Sequence, residues 1–251
     1  ARALLHRCGI PYVESRHIPF VHMLAVKWAA SGAKPGVLRG DRASSPYSTP
    51  LLIAEDGEVV SGTREIFEWA RRRVVGGGGC GKELEAFLEL DETWAKELHD
   101  RLGVNARVLG YHWLLQGGAG SFSQSVTGSV PAWQQTLLRW LYPLFGMAIH
   151  GFMRVHDPRR VAKAEKVVDD IFERASAALE RAGSISGAAA PNATDLYFAA
   201  LSYPVLGLQS TSGAPLPAAL VPHAPPDHLH RLRSSNAGKL ASALLRNLAP
   251  A

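Results

Sequence analysis

Hydrophobic positions near the middle of the first hundred residues predict a β-hairpin followed by a helix. Apolar runs at residues 51–53 and 59–60 flank Asp56-Gly57, a pair typical of tight hairpin turns. Pro50 stands directly before the first run, where a residue without a backbone N–H fits a strand entry. Apolar residues then recur at helical spacing over 65–73. The pattern therefore predicts two antiparallel strands and a helix.

The residues before this hairpin predict a helix, a strand and a second helix. Residues 1–8 have helical composition, and Gly9 followed by Pro11 provides a stop. Residues 12–18 alternate well enough for a strand, and the helical pattern resumes over 22–30. The predicted order is helix, strand, helix, two strands and helix.

A glycine-rich stretch after residue 73 marks the clearest domain boundary, and the rest of the chain is predicted to be helical. We predict a first domain over 1–73, a linker over 74–83 and an all-helical domain over 84–251. The second domain has a long amphipathic helix over 84–98, a core helix over 132–153 and an apolar stripe from Asp157-Pro158 to Gly183. Segments 116–131 and 210–228 are predicted to be loops, and 231–247 a last helix.

Composition narrows the classes of function. The 251 residues carry a formal net charge of +5, and the basic residues are scattered, which disfavours nucleic-acid binding. The most apolar stretch, 137–153, is interrupted by Arg139 and Pro143, so no membrane span is predicted. Two cysteines in unrelated contexts do not form a disulfide framework. The ten histidines lack metal-ligand spacing, so no metal site is expected, and His228 and His230 are predicted to lie in a loop as solvated side chains.

Several motifs, taken in order, resemble the glutathione transferase family. Gly9-Ile10-Pro11-Tyr12 is similar to the segment that leads from the first helix into the second strand, and Thr49-Pro50 with Thr63 is similar to the glutathione-site segment. The stretches 102–115 and 198–206 resemble phrases of a little-studied bacterial and plant-like branch. Asn192 and Asp195 match the family's helix-capping box, with Asn replacing its hydroxyl residue, so Asp195 is interpreted as structural. The resemblance implies an α+β fold: a thioredoxin-like N-terminal domain and an all-α C-terminal domain.

The resemblance implies glutathione as co-substrate and a small electrophile as its partner. The residues implied at the glutathione site are Thr49, Pro50 in a cis peptide, Gly62, Thr63 and Lys27. The family has an acidic residue where this chain has Gly62, and Thr63 has the alternative role of capping its helix only. The implied electrophile pocket contains Tyr111 and His112, for which the alternative is an aromatic core cluster.

The activity implied by the resemblance is thiol transfer to an electrophile or disulfide. The family's first strand, and the Ser, Tyr or Cys that activates the thiol just after it, are expected upstream of Ala1. The alternative is a non-catalytic member that acts as a structural or accessory subunit of a larger assembly, and a ligand-carrying module is a third hypothesis. A homodimer or a partner in a complex is expected. The expected compartment is the cytoplasm, with a plastid or mitochondrial interior after removal of a transit peptide as the alternative.

Overall fold

A computed structural model describes residues 1–18, 21–31, 38–40, 49–76, 81–118, 130–207 and 223–246. The chain divides into two compact units, Ala1–Glu85 and Ala86–Ala251. The architecture is helical with one small sheet, so the α+β class is correct at this level. The predicted linker over 74–83 lies just before the division between the units, and its residues 77–80 lie outside the described part.

The first unit combines short helices with the sheet. Its elements are α1 (Arg2–Arg7), α2 (Val21–Ser31), β1 (Leu38–Gly40), β2 (Leu51–Ile53), β3 (Val59–Ser61), α3 (Thr63–Gly76) and the start of α4 (Lys82–Phe87). The sheet has the order β1-β3-β2, with β3 parallel to β1 and antiparallel to β2. All three residues of β3 are buried, so the hairpin places its second strand at the centre of the sheet.

The predicted hairpin is confirmed. Ile53 pairs with Val59, and Gly57 adopts φ +84° in the turn, a conformation that glycine tolerates without steric cost. The Glu58 backbone N–H donates to the Asp56 carboxylate at 3.0 Å. The side chain of a turn residue therefore stabilises the turn. The turn residues therefore determine the register.

The predicted strand over 12–18 is wrong. Those residues carry no strand pairing, and Val13 is fully exposed, whereas Ile18 is fully buried. Arg2 and Arg16 both lie against the Glu14 carboxylate, at 3.6 and 2.6 Å. Alternation alone cannot make a strand, because a strand needs a partner edge for its backbone groups. Among the described residues, the third strand is instead the short segment Leu38–Gly40, which the pattern did not predict.

The second unit consists of helices. They are α5 (Glu92–Glu97), a π-helical turn (Leu98–Gly103), α6 (Val104–Gln116), α7 (Ala132–Met153), α8 (Pro158–Ala182), α9 (Ala193–Leu206), α10 (Pro226–Ser234) and α11 (Asn236–Arg246). The predicted long helix over 84–98 is divided between α4 and α5, because Asp91 caps α5 by accepting from the Trp94 N–H at 2.9 Å. The predicted last helix over 231–247 is two helices.

One hydrophobic cluster holds the second unit together. Its fully buried members include Leu98, Leu109, Ile171 and Phe198, which come from the π-helical turn, α6, α8 and α9. The Phe172 and Phe198 ring centroids lie 5.1 Å apart. The predicted stripe of α8 faces this cluster, so the helical periodicity correctly identified the core face.

The predicted ends of α8 are also confirmed. The Asp157 carboxylate accepts from the Arg159 N–H at 3.0 Å, and Pro158 occupies the first turn. Gly183 ends the helix at φ +83°.

Two other expectations are corrected. The stretch 132–153 forms helix α7 but is not a core helix, because Trp140 and Phe152 are more than four-fifths exposed. His228 and His230 lie on α10 rather than in a loop, and His228 is buried. Of the other predicted loop residues, 119–129 and 210–222 lie outside the described part. No described helix is long and apolar enough to cross a membrane.

Candidate functional site

Four of the predicted glutathione-site residues come together in the first unit. The Gly62 N–H donates to the Pro50 carbonyl at 3.0 Å, which joins the start of β2 to the start of α3. Thr49 is exposed before the cis Thr49–Pro50 peptide bond, and Thr63 is half-buried as the first residue of α3. Two dipeptides separated in sequence are therefore neighbours at one helix N-terminus.

Helix α3 has the length and orientation to interact with an anion at this point. It spans 14 residues from Thr63, and its first backbone N–H groups point back toward Gly62. The positive end of the helix dipole and these N–H groups favour a carboxylate. Thr63 adds a hydroxyl that can donate or accept a hydrogen bond.

Glu65 is a residue of this site that the sequence reasoning missed. A Cβ placed on Gly62 would lie 2.1 Å from the Glu65 Oε2, so the carboxylate folds back directly over the glycine. Gly62 has φ +108°, a conformation that other residues rarely adopt. The side chain of an acidic residue at position 62 would begin where the Glu65 carboxylate lies. The signal in the sequence was an acid at the third position of a helix, which commonly bends back toward the N-cap.

Lys27 is placed on α2, where it is exposed next to the buried Val26. Among the described residues it has no ion-pair partner. His22, on the same helix, is half-buried, and this burial lowers its pKa.

Tyr111 and His112 lie on α6 in the second unit. Tyr111 packs against the hydrophobic cluster, and burial raises the pKa of its phenol. His112 Nδ1 lies 2.7 Å from the Val155 carbonyl, and Nε2 lies 2.9 Å from the Gln116 amide nitrogen. Because a carbonyl only accepts, Nδ1 carries the proton and Nε2 accepts from Gln116. Both ring nitrogens of His112 are therefore engaged by protein groups.

A shallow, open depression on the second unit lies along α5 and the π-helical turn. The residues that line it all carry polar or charged groups: Glu92, Thr93, Lys96, Glu97, Asp100 and Arg101. None of the predicted site residues belongs to it. Among the described residues, no group of three His, Cys, Asp or Glu side chains is placed to hold a metal ion.

No protein-family model, curated protein or solved structure matches the chain in the three comparisons with known proteins. The functional conclusion therefore depends on the residues and their geometry.

Proposed function

We propose that the chain is a glutathione transferase-like protein whose first unit is of the thioredoxin-like type and binds the γ-glutamyl end of glutathione. The observation that carries the proposal is the hydrogen bond of 3.0 Å from the Gly62 N–H to the Pro50 carbonyl. This bond brings Thr49-Pro50 and Gly62-Thr63 together at the start of α3, as binding of one small ligand by both dipeptides requires.

The charged groups of the γ-glutamyl end match the groups at the start of α3. This end carries a carboxylate and an ammonium on the same carbon. The N-terminus of α3 and the Thr63 hydroxyl suit the carboxylate. The Glu65 carboxylate, folded over Gly62, suits the ammonium. In this proposal it replaces the acidic residue that the family has at position 62.

The proposed reaction is thiol transfer. The bound thiol releases its proton to water, and the thiolate sulfur forms a bond to an electrophilic carbon or disulfide sulfur as the leaving group departs with the bonding electrons. In this proposal Thr49, Pro50, Thr63 and Glu65 hold the ligand.

A second candidate function is that of a non-catalytic accessory subunit. The observation that favours it is the outward face of α7, where Trp140 is 81% exposed and Met147 is 63% exposed. Apolar surface of this size on a helix is typical of an interaction site.

Isothermal titration calorimetry with reduced glutathione tests the first proposal. We expect binding at or below millimolar concentration, and at least a tenfold weaker affinity for Glu65→Gln. Glu68→Gln, on the same helix but without contact to Gly62, is the matched control and keeps the wild-type affinity. S-Methylglutathione binds as well as glutathione, because the proposed contacts involve the γ-glutamyl end.

Two results would contradict the proposal. If no heat of binding is detected even at roughly 10 mM glutathione, a concentration that would reveal millimolar binding, then glutathione is not the ligand. The accessory role would then be the better proposal. Equal affinities for wild type and Glu65→Gln would show that the ligand does not use this corner of the molecule.

A further inference from the structure

The corner between α7 and α8 brings two histidine rings together. The ring centroids of His150 and His156 lie 5.3 Å apart, with an angle of 69° between the ring planes. His150 lies in the last turn of α7 and is half-buried, whereas His156 is exposed in the turn before α8. Their separation in the sequence is not a ligand spacing on one helix, so the sequence pattern did not indicate this pair.

Hydrogen bonds to the backbone fix the position of each histidine. Arg154 ends α7 in the left-handed conformation, at φ 53°, and its N–H donates to the His150 carbonyl at 2.9 Å. The carbonyl of Val155, the buried residue directly before His156, accepts from His112 Nδ1 at 2.7 Å. The corner is therefore anchored next to both histidines, and such anchoring orders a pair of ligands before they bind.

One nitrogen of this pair is buried without a hydrogen bond. His150 Nδ1 has no hydrogen-bond partner among the described residues. A buried polar atom of this kind has lost its contact with water, so native structures rarely contain one unless a water molecule or an ion supplies the missing contact. The neighbouring ring of His156 adds a second imidazole at the same place. Imidazole is a ligand that Zn²⁺, Ni²⁺ and Cu²⁺ prefer, which favours a metal ion here.

The separation of the two rings matches a shared metal ion. A Zn–N distance of about 2.0–2.1 Å places each ring centroid roughly 3.2 Å from the ion, so two ligands at the tetrahedral angle have centroids about 5.2 Å apart. The observed separation of 5.3 Å agrees with this value. The angle between the ring planes does not restrict the site, because an imidazole can rotate about the bond between its nitrogen and the metal.

We propose that His150 and His156 form a binding site for a divalent transition-metal ion such as Zn²⁺ or Cu²⁺, with His150 Nδ1 as one ligand atom. The ion joins the last turn of α7 to the turn before α8. The proposal is independent of glutathione binding, since every residue that it uses lies in the second unit.

The site has two protein ligands. Asp157 is close in sequence, but one of its oxygens accepts from the Arg159 N–H at the start of α8, and the other pairs with Arg154 at 2.6 Å. Within the described part of the chain, no third His, Cys, Asp or Glu side chain completes the set. The other coordination positions of the ion are therefore open to water, as one position is in catalytic zinc sites.

Equilibrium dialysis of the full chain against Zn²⁺ tests this proposal, with protein that carries no histidine tag and has been treated with EDTA. We expect one site per chain with a dissociation constant in the micromolar range. His156→Phe keeps an aromatic ring against His150 but removes the ligand nitrogens, so it should weaken binding roughly 100-fold by abolishing the second, intramolecular contact. His230→Ala, which changes an exposed histidine on α10, is the matched control and keeps the wild-type affinity.

Two further measurements follow the ion itself. The electron paramagnetic resonance spectrum with one equivalent of Cu²⁺ should show coupling to two imidazole nitrogens in the wild type and to one fewer in His156→Phe. Zn²⁺ should raise the urea midpoint of the wild type, because a ligand that binds only the folded chain stabilises it, and it should leave the midpoint of His156→Phe unchanged. Far-ultraviolet circular dichroism shows whether each variant is folded. His156→Gln, which puts a polar side chain at this exposed position, is the second variant and should lose binding equally.

Two results would overturn the proposal. A wild type that binds no Zn²⁺ at roughly 100 µM would show that the two rings only pack against each other. Wild-type affinity in the folded His156→Phe and His156→Gln variants would show that the ion binds elsewhere on the chain.

Discussion

The Asp195 carboxylate accepts a hydrogen bond from the Asn192 backbone N–H at 2.9 Å, three residues earlier at the start of α9. Its other oxygen accepts from the Ile185 N–H, also at 2.9 Å. Burial raises the pKa of Asp195, and the two N–H donors oppose that rise. One side chain thus satisfies two buried backbone groups and ties the segment before α9 to the helix.

We expect Asp195→Ala to lower the free energy of unfolding by about 2–4 kcal/mol, because it removes a helix cap and leaves two buried N–H groups without acceptors. Asp195→Asn keeps one acceptor oxygen and loses less. Urea denaturation monitored by circular dichroism measures both changes. Asp227→Ala, at an exposed position in the first turn of α10, changes stability by less than about 0.5 kcal/mol. Equal losses for Asp195→Ala and Asp227→Ala would contradict this role.

Features that depend on local sequence were predictable. The turn at Asp56-Gly57, the caps at Asp157 and Asn192 and the stripe of α8 each depend on residues within a few positions of one another. The residues 12–18 have a local alternation too, yet form no strand, because pairing depends on an edge elsewhere in the chain.

The candidate site shows the same limit. Gly62 lies close to Pro50 because the hairpin pairs the two strands that they flank. The sequence could therefore predict that these residues are neighbours. The contribution of Glu65 was not predictable, because it depends on a side chain that folds back over a glycine with positive φ. His228 on α10 was assigned to solvent because burial of a polar residue depends on what packs over it, here Trp113 with ring centroids 5.8 Å apart.

Stability of the second unit is expected to fall as the pH drops through about 6.5, the ordinary value for histidine, because of His228. Burial lowers its pKa; Arg231 lowers it further, whereas Asp169 and Glu165 raise it. Arg231 donates toward Nδ1 at 3.2 Å, so the neutral ring carries its proton on Nε2, 3.9 Å from Asp169. A lowered pKa in the folded state means that the unfolded chain takes up the proton first, so acid favours unfolding.

The urea midpoint at pH 7.5, 6.5 and 5.5 measures this dependence. His228→Gln should flatten the decrease between pH 6.5 and 5.5, whereas His230→Gln, an exposed neighbour on the same helix, should follow the wild type. His22 has a lowered pKa as well, so it adds its own pH dependence to the stability of every variant. The contribution of His228 is therefore measured as the difference between the variants. A His228→Gln profile parallel to that of the wild type would show that His228 is not responsible.

Glu97 is expected to contribute a salt-sensitive interaction between α5 and α8. Its carboxylate accepts two bonds from Arg174, at 2.5 and 2.9 Å, and one from Arg101. The Arg174 hydrogen bond is the largest cause that lowers the pKa of Glu97. Because both arginines are more than two-fifths exposed, Glu97→Gln should cost only about 1 kcal/mol at low salt.

The cost of Glu97→Gln should shrink in 1 M salt, where the Debye length is about 3 Å. The cost should also disappear as the pH falls through the lowered pKa of Glu97. A protonated Glu97 is neutral and attracts the arginines no more strongly than the neutral glutamine side chain of the variant. Thermal unfolding in 10 mM and 1 M sodium chloride measures the first effect. Glu173→Gln, at an exposed position on α8, serves as the control. A cost that is independent of salt would mean that packing, rather than charge, accounts for the loss.

Gly238 in α11 is expected to be irreplaceable even by alanine, although alanine is the better helix former by about 1 kcal/mol. A Cβ at this position would lie 1.9 Å from the Leu232 carbonyl oxygen and 3.0 Å from the Arg233 Cα, both backbone atoms that cannot move aside cheaply. Gly238→Ala should therefore lower the free energy of unfolding by about 3 kcal/mol. Gly146→Ala in α7 is the matched control, because no heavy atom of the described residues lies within 4 Å of its added Cβ, and it should stabilise the chain by up to about 1 kcal/mol. If α10 and α11 pack as closely as described, urea denaturation shows a decrease in the free energy of unfolding for Gly238→Ala and an increase for Gly146→Ala. A Gly238→Ala variant with unchanged stability would mean that the two helices do not pack so closely.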